Sequence, residues 1–262
     1  IRYTAGTLTV NPASLSITAQ NQSTTYGSLL VLPQSGSSAI SVSGLLNGDY
    51  VTSATVLYSG SQTVSGNTNA GTYTGGIQAS SALGLGLSNY TKTYHAGNLI
   101  VDKAVLTVTA VDSAKFVGQS DPVGYAGVMY SGFKNSDSES SGALGSSVAS
   151  VTRSNSTQNN AGTYSNVLIP ALSGTLQNYT VSYAPGNYVI VGANQLLVQV
   201  GSNTTTYGTA AAYNTSNMTV SYCTNCAVGV ASPTIISVTS ANLSLSGTAL
   251  TVVDGSTTAV FN

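Results

Sequence analysis

The sequence predicts a mostly-β fold made of tandem modules, each about 90 residues long. Three observations carry this: landmarks that return in the same order at offsets of 91 and then 89 residues, alternating apolar runs that open each module, and small polar residues where an ordinary domain has charges. At 262 residues the chain is about twice the commonest domain size, so length alone allows one large β domain or several small modules. The repeats decide for modules.

Tyr3-Thr-Ala-Gly6-Thr-Leu-Thr-Val10 returns as Tyr94-His-Ala-Gly97-Asn-Leu-Ile-Val101 and again as Tyr183-Ala-Pro-Gly186-Asn-Tyr-Val-Ile190. Asn69-Ala-Gly71-Thr-Tyr73 returns as Asn160-Ala-Gly162-Thr-Tyr164, and Asn89-Tyr90 as Asn178-Tyr179. Gly44-Leu-Leu-Asn47-Gly-Asp49 returns as Gly132-Phe-Lys-Asn135-Ser-Asp137. Ordered landmarks of this kind predict complete modules at 12–102 and 103–191 and an incomplete or divergent third at 192–262. Residues 1–11 read as the terminal strand of a preceding module, and Ile1, opening directly into strand-like sequence, reads as the start of an excised or processed segment.

Within the modules, Leu15-Ser-Ile17-Thr-Ala19, Leu106-Thr-Val108-Thr-Ala110 and Leu196-Leu-Val198-Gln-Val200 alternate with the period of a half-buried strand. Only Asp102 and Lys103 lie between the strand closing the first module and the one opening the second, which predicts stiff, rod-like joining in place of a flexible tether. Asn47-Gly-Asp49 and Asn135-Ser-Asp137 suit either the cap of a short helix in each module or an Asx-type turn. Asp254-Gly255, between Leu250-Thr-Val252 and Thr258-Ala-Val260, is a two-residue hairpin signal.

Charged residues are 5% of the chain against about 25% in an ordinary soluble domain. Forty Ser, 34 Thr, 21 Asn and 28 Gly take their place, while 42% apolar residues supply cores. A net charge of −1 cannot provide the cationic surface that nucleic acid requires, so that partner class is excluded. No apolar run reaches the ~18 residues of a membrane helix, and membrane insertion is not expected.

The succession Tyr26-Gly27, Gly44 to Asp49, Asn69 to Tyr73, Asn89-Tyr90 and Tyr94 to Gly97, running into Val101-Asp-Lys-Ala104-Val-Leu-Thr-Val108, resembles the MBG-type repeat (YGX type). The resemblance covers both complete modules and the opening of the third, where Tyr207-Gly208 stands. It departs at Phe116-Val117-Gly118, where the others read Tyr-Gly, and after Gly208, where Tyr222-Cys223-Thr-Asn-Cys226 reads as an insertion. Such repeats occur in tandem in very large bacterial surface and secreted adhesins, many resembling filamentous haemagglutinin. The resemblance implies a mostly-β, β-grasp-like or sandwich-like module that acts as a stalk or display element, with no catalytic residues and no cofactor.

Side-chain chemistry points the same way. His95 is the one imidazole, and the sister positions hold Thr4 and Ala184, which marks a variable surface turn. Asp137 and Glu139, a close acidic pair in a Ser-rich loop, fall short of the ligand set a Ca²⁺ site gathers. Cys223-Thr-Asn-Cys226 reads as a local disulfide, since a zinc site lacks ligands here and a redox pair lacks its βαβ setting. Tyr73 and Tyr164, Tyr90 and Tyr179, and Tyr94 and Tyr183 recur at equivalent sites, as core tyrosines with hydroxyls tied to backbone would. A Lys–Asn isopeptide bond would need a buried acid beside one of only four lysines.

The expected function is a non-enzymatic structural segment of a large extracellular bacterial adhesin, at work in surface adhesion or biofilm. Its partners would be neighbouring modules of the same chain or identical subunits. Two alternatives stand beside it. One is an extracellular filament in which residues 1–10 of one copy complete the sheet of the next. The other is a carbohydrate-binding module using aromatics that differ between modules, such as Tyr50, Tyr58, Tyr125 and Tyr130.

Overall fold

A computed structural model describes every residue except 60–63, 202–204, 211–214, 231, 240–241, 247–248, 255–256 and 262. The chain is mostly β, and helix among the described residues is confined to single 3-10 turns at Leu87–Asn89 and Thr215–Asn217.

The first repeat contributes seven strands: β1 (Ala13–Ala19), β2 (Gln22–Thr25), β3 (Ile40–Ser43), β4 (Tyr50–Tyr58), β5 (Gly71–Leu85), β6 (Tyr90–His95) and β7 (Gly97–Asp102). They form a three-stranded sheet in the order β3-β1-β6 and a four-stranded sheet in the order β2-β7-β5-β4. The second repeat supplies β8 (Ala104–Ala110), β9 (Ser113–Phe116), β10 (Val128–Ser131), β11 (Ala149–Arg153), β12 (Gly162–Leu172), β13 (Tyr179–Ala184) and β14 (Gly186–Val191). Its sheets, β10-β8-β13 and β11-β12-β14-β9, repeat the same topology strand for strand.

The alternation read from the sequence buries one face of the first two opening strands, Leu15, Ile17 and Ala19 in β1 and Leu106, Val108 and Ala110 in β8, but not of the third, where Val198 and Val200 are 38% and 50% exposed. After β1 the chain steps over at Gln20-Asn21, so that β1 pairs in parallel with β6 in one sheet and β2 in parallel with β7 in the other. The closing strand crosses tightly at this step. A Cβ at Gly97 would lie 2.4 Å from the carbonyl oxygen of Ala19, and one at Gly186 2.5 Å from that of Ala110, which is why the Tyr-X-X-Gly landmark ends in glycine.

At Asn47 and Asn135 the backbone has φ of 57° and 56°. Left-handed residues end a helix, so both segments are turns, and of the two conformations their sequence suits the turn is the one adopted.

The third region keeps the opening antiparallel pair, β15 (Leu196–Val200) with β16 (Met218–Cys223), in the order β15-β16-β17 (Ile235–Val238). It then departs into a meander of β18 (Leu243–Ser246), β19 (Ala249–Asp254) and β20 (Thr257–Phe261). The β19–β20 hairpin forms with Asp254 opposite Thr257, while Gly255 at its tip lies outside the described residues.

The chain divides into two compact units, 1–107 with 130–147 and 174–182, and 108–129 with 148–173 and 183–262. The division runs inside the second repeat and not between repeats. Each joint between consecutive repeats is therefore interior to one unit, the first at Asp102-Lys103 and the second at residues 192–195.

Candidate functional site

The motif residues converge at the joint between the first two repeats. Tyr26 follows β2 directly and extends the β2–β7 ladder, its N–H donating to the Asp102 carbonyl at 2.8 Å. Gly27, at φ 89°, turns the chain so that its own N–H reaches the Gly66 carbonyl at 3.0 Å. The buried Tyr26 ring meets the Tyr179 ring edge-on at 5.5 Å, and Phe133 packs edge-on against Tyr179 from another side at 5.8 Å. Both phenols donate to one carboxylate of the second repeat: Tyr26 to Asp137 Oδ2 at 3.0 Å and Tyr179 to the same oxygen at 2.5 Å. Tyr179 also accepts the Lys134 N–H at 2.9 Å, which fixes the turn carrying the acid.

A second contact closes the joint beside this lock. Asn178 Oδ1 accepts the Ala70 N–H at 2.9 Å and its Nδ2 donates to Asn69 Oδ1 at 3.0 Å, while Gln177 Nε2 donates to the Ala70 carbonyl. Asn135 Nδ2 donates to the Gly66 carbonyl, and Lys103 Nζ to that of Leu176. The Lys134 stem lies over Gly27, where an added Cβ would come within 2.6 Å of it. Burial, with help from the neighbouring Asp137 carboxylate, pushes the Tyr179 phenol up to about 12, and the same two causes raise Tyr26.

The remaining motif tyrosines serve their own repeats. Tyr73 and Tyr164 donate to the carbonyls of Asn69 and Asn160, four residues back, so the Asn-Ala-Gly-Thr-Tyr landmark is a self-bonded loop. Tyr94 and Tyr183 accept the N–H groups of Ala82 and Leu172. Tyr90 accepts the Leu46 N–H at 2.8 Å and donates to Asp49 at 2.8 Å, as Tyr179 does with Lys134 and Asp137. What the sequence did not reveal is that Tyr26 reaches out of its repeat; its only signal was a Tyr-Gly pair placed after the second strand.

At the second joint Val117 holds the place of Tyr26, its N–H donating to the Val191 carbonyl at 2.9 Å, and Gly118 turns with φ 87°. The partner loop has changed with it. Cys223 ends β16 and Thr224 to Cys226 follow it as Gly132–Asp137 follows β10, so the stretch that reads as an insertion takes the place of that turn. Its two cysteines form a disulfide, and Phe116, Val117, Val191, Cys223 and Cys226 are buried in one apolar cluster. The two departures from the repeat pattern thus meet each other. With no carboxylate in the partner loop a buried phenol would lack its acceptor, and valine removes that cost.

The sequence model of the MBG domain (YGX type) family matches residues 15–100 and 106–189, more than half of the chain. The chain belongs to this family. No curated protein and no solved structure matches it.

The second MBG repeat holds one further polar cluster, at the base of its YGX-position turn. Lys115 Nζ lies 2.7 Å from Asp121 and 2.9 Å from Asn159 Oδ1, and Arg153 Nε lies 3.0 Å from the other Asp121 oxygen. Lys115 and Arg153 are buried, and Tyr125 donates to the same carboxylate at 3.1 Å. Arg153 also stacks over the Tyr188 ring at 4.8 Å. Burial alone would raise Asp121, but Lys115, Tyr125 and Arg153 together hold it below the ordinary carboxylate range. The cluster has lysine, asparagine and a carboxylic acid, the group types of an isopeptide site, though the acid, Asp121, is only part-buried. Condensation would need a neutral amine and a carboxyl able to hand a proton to departing ammonia. Asp121 instead stands as the shared counter-charge of Lys115 and Arg153, so the arrangement is an ion network. The first MBG repeat has Thr24 at the Lys115 position, so the repeat pattern gave no hint of it.

Elsewhere the polar candidates stand apart. His95 is exposed at the end of β6, and Glu139 is exposed while its neighbour Asp137 is engaged by the two phenols. Among the described residues no three His, Cys, Asp or Glu side chains gather as a metal site, and no helix is long and apolar enough to cross a membrane. Tyr207-Gly208 turns with φ 87° at Gly208, as Gly27 and Gly118 do, and Tyr207 is fully exposed.

Proposed function

We propose that this chain is a structural segment, a stalk or spacer, of a large extracellular bacterial adhesin, in which MBG repeats are locked in series and no reaction is catalysed. The observation that carries this reading is the bond from Tyr26 to Asp137, in which the family's YGX tyrosine is used to hold the next repeat. Neutral Ser, Thr and Asn surfaces suit a spacer that must avoid nonspecific charge binding. The Cys223–Cys226 disulfide suits an oxidising, extracellular setting. Adhesion and biofilm roles belong to the parent protein that such a spacer would extend.

Small-angle scattering of the full chain tests the spacer. A narrow, elongated distance distribution is expected, and a broad one that shifts with no change in repeat folding would overturn it. Surface display is tested by antibody labelling of intact source cells, and labelling found only after lysis would overturn the extracellular assignment.

One observation favours a second reading, a filament of identical subunits: residues 3–10 carry strand-like sequence with Tyr3, Leu8 and Val10 exposed. Strand addition to a second copy would cover them. Light scattering that finds linear polymers, abolished by deleting residues 1–10, would favour the filament over the spacer.

A further inference from the structure

We infer that the free end of the first repeat is a seat for the Tyr-Gly turn of another MBG repeat, namely the repeat whose closing strand is residues 3–10.

The seat is a copy of the occupied one. Asn47 and Asn135 have matching left-handed φ, 57° and 56°. Tyr90 takes the Leu46 N–H and gives its proton to Asp49, as Tyr179 takes the Lys134 N–H and gives its proton to Asp137. In the second repeat, Asp137 then receives a second phenol, Tyr26. In the first repeat Asp49 instead lines a cavity of about 550 Å³, together with Asn11, Leu46, Asn89 and Tyr90. Leu46 stands where the Lys134 stem covers Gly27, and it is 54% exposed.

The occupant follows from residues 3–10. Leu8 and Val10 correspond to Leu99 and Val101 of β7, 91 positions on, which are 0% and 3% exposed, whereas Leu8 and Val10 are 88% and 83% exposed. The segment has the pattern of a closing strand, with its alternate apolar side chains exposed. In the first joint the Tyr26 N–H hangs on the carbonyl of Asp102, the residue after Val101. The corresponding residue after Val10 is Asn11, at the rim of the cavity. A repeat closed by residues 3–10 would therefore hang its Tyr-Gly turn on Asn11, with the phenol directed at Asp49 and the glycine under Leu46.

The inference rests on the serial-repeat part of the proposed function and not on the adhesin part. Its test uses the full chain and the full chain extended by one repeat, residues 12–93 placed directly ahead of Tyr3 so that residues 3–10 close the added repeat. Hydrogen exchange at the amides of Leu46 to Asp49 is expected to slow by about tenfold or more on extension, the effect of one charge-assisted hydrogen bond. Leu46→Asp is expected to lower the melting temperature of the extended chain by more than it changes that of the unextended one. The cycle of Asp49→Asn with Tyr26→Phe in the added repeat is expected to show coupling, as a seated phenol requires. Unchanged exchange, equal effects of Leu46→Asp in both chains, or a cycle without coupling would overturn the inference. Self-association of the unextended chain that is lost in Tyr207→Ala would overturn it too, by placing a second copy in the seat. None of these results alters the scattering outcome that tests the spacer.

Discussion

The Tyr26 hydroxyl donates to the Asp137 carboxylate at 3.0 Å across the joint between two MBG repeats, from a position 111 residues earlier in the chain. The acid also receives Tyr179 of its own repeat, so one side chain reports the state of both. A hydrogen bond to a charged acceptor contributes about 1.5–3 kcal/mol, and this one is partly exposed, so about 1–2 kcal/mol of coupling is expected between Tyr26→Phe and Asp137→Asn. Urea unfolding of the two single variants and the double variant measures it. Additive costs would mean that the joint holds by packing alone.

Alkaline pH should loosen the same joint. An unfolded phenol ionises near 10, and Tyr179 in place ionises at about 12, raised first by burial and then by Asp137. A raised folded value stabilises fully below about pH 10, and the contribution is lost as pH climbs through about 12. Phenolate absorbance against pH should show a late-titrating tyrosine. Asp137→Asn should move that tyrosine toward the ordinary range.

The ion network around Asp121 gives the opposite pH dependence. Its folded value is lowered, so the stability it provides is present above about pH 4 and fades as pH falls further. Asp121→Asn leaves Lys115 and Arg153 buried without their counter-charge, with an expected cost of about 3 kcal/mol, read from the urea midpoint. Intact mass should equal that of the chain with its disulfide formed. Loss of one ammonia would show that Lys115 and Asn159 had condensed after all.

Reduction of Cys223–Cys226 should matter little. Closing so short a loop removes denatured-state entropy worth about 2 kcal/mol at most, so the reduced chain should keep its strand signal by circular dichroism while melting slightly earlier. Val117→Tyr should do more harm than reduction, because it buries a phenol where the partner loop offers no carboxylate.

Much of the architecture was legible because the same solution is written twice. Leu15-Ser-Ile17 and Leu106-Thr-Val108 announce strands by alternation, and the doubled Tyr-X-X-Gly landmark marks a crossing where only glycine fits. The joint was harder to read. Tyr26 looks like any motif tyrosine, and nothing in a linear order says that its hydroxyl belongs with Asp137. The ion network left no trace at all, since each member occurs once and repetition was the guide. Cys223 and Cys226 were legible as a pair but not as a replacement for an aspartate turn, because that equivalence rests on β16, which ends at Cys223, matching β10 in pairing and not in sequence.

Parallel neighbours at the two ends of a repeat have a mechanical consequence. β2 lies beside β7 from Gln22 opposite Leu99 to Thr25 opposite Asp102, and β9 lies beside β14 in the same sense. The chain enters each repeat ahead of the first strand of the pair and leaves after the second. Tension therefore drags the two strands past each other lengthwise, so the rungs between them are strained in shear and must fail together. A hairpin pulled at its open end gives way one rung at a time. Lifetime under load is set by the unfolding barrier and not by the equilibrium stability. Such a repeat can be only modestly stable to heat and still hold against tension.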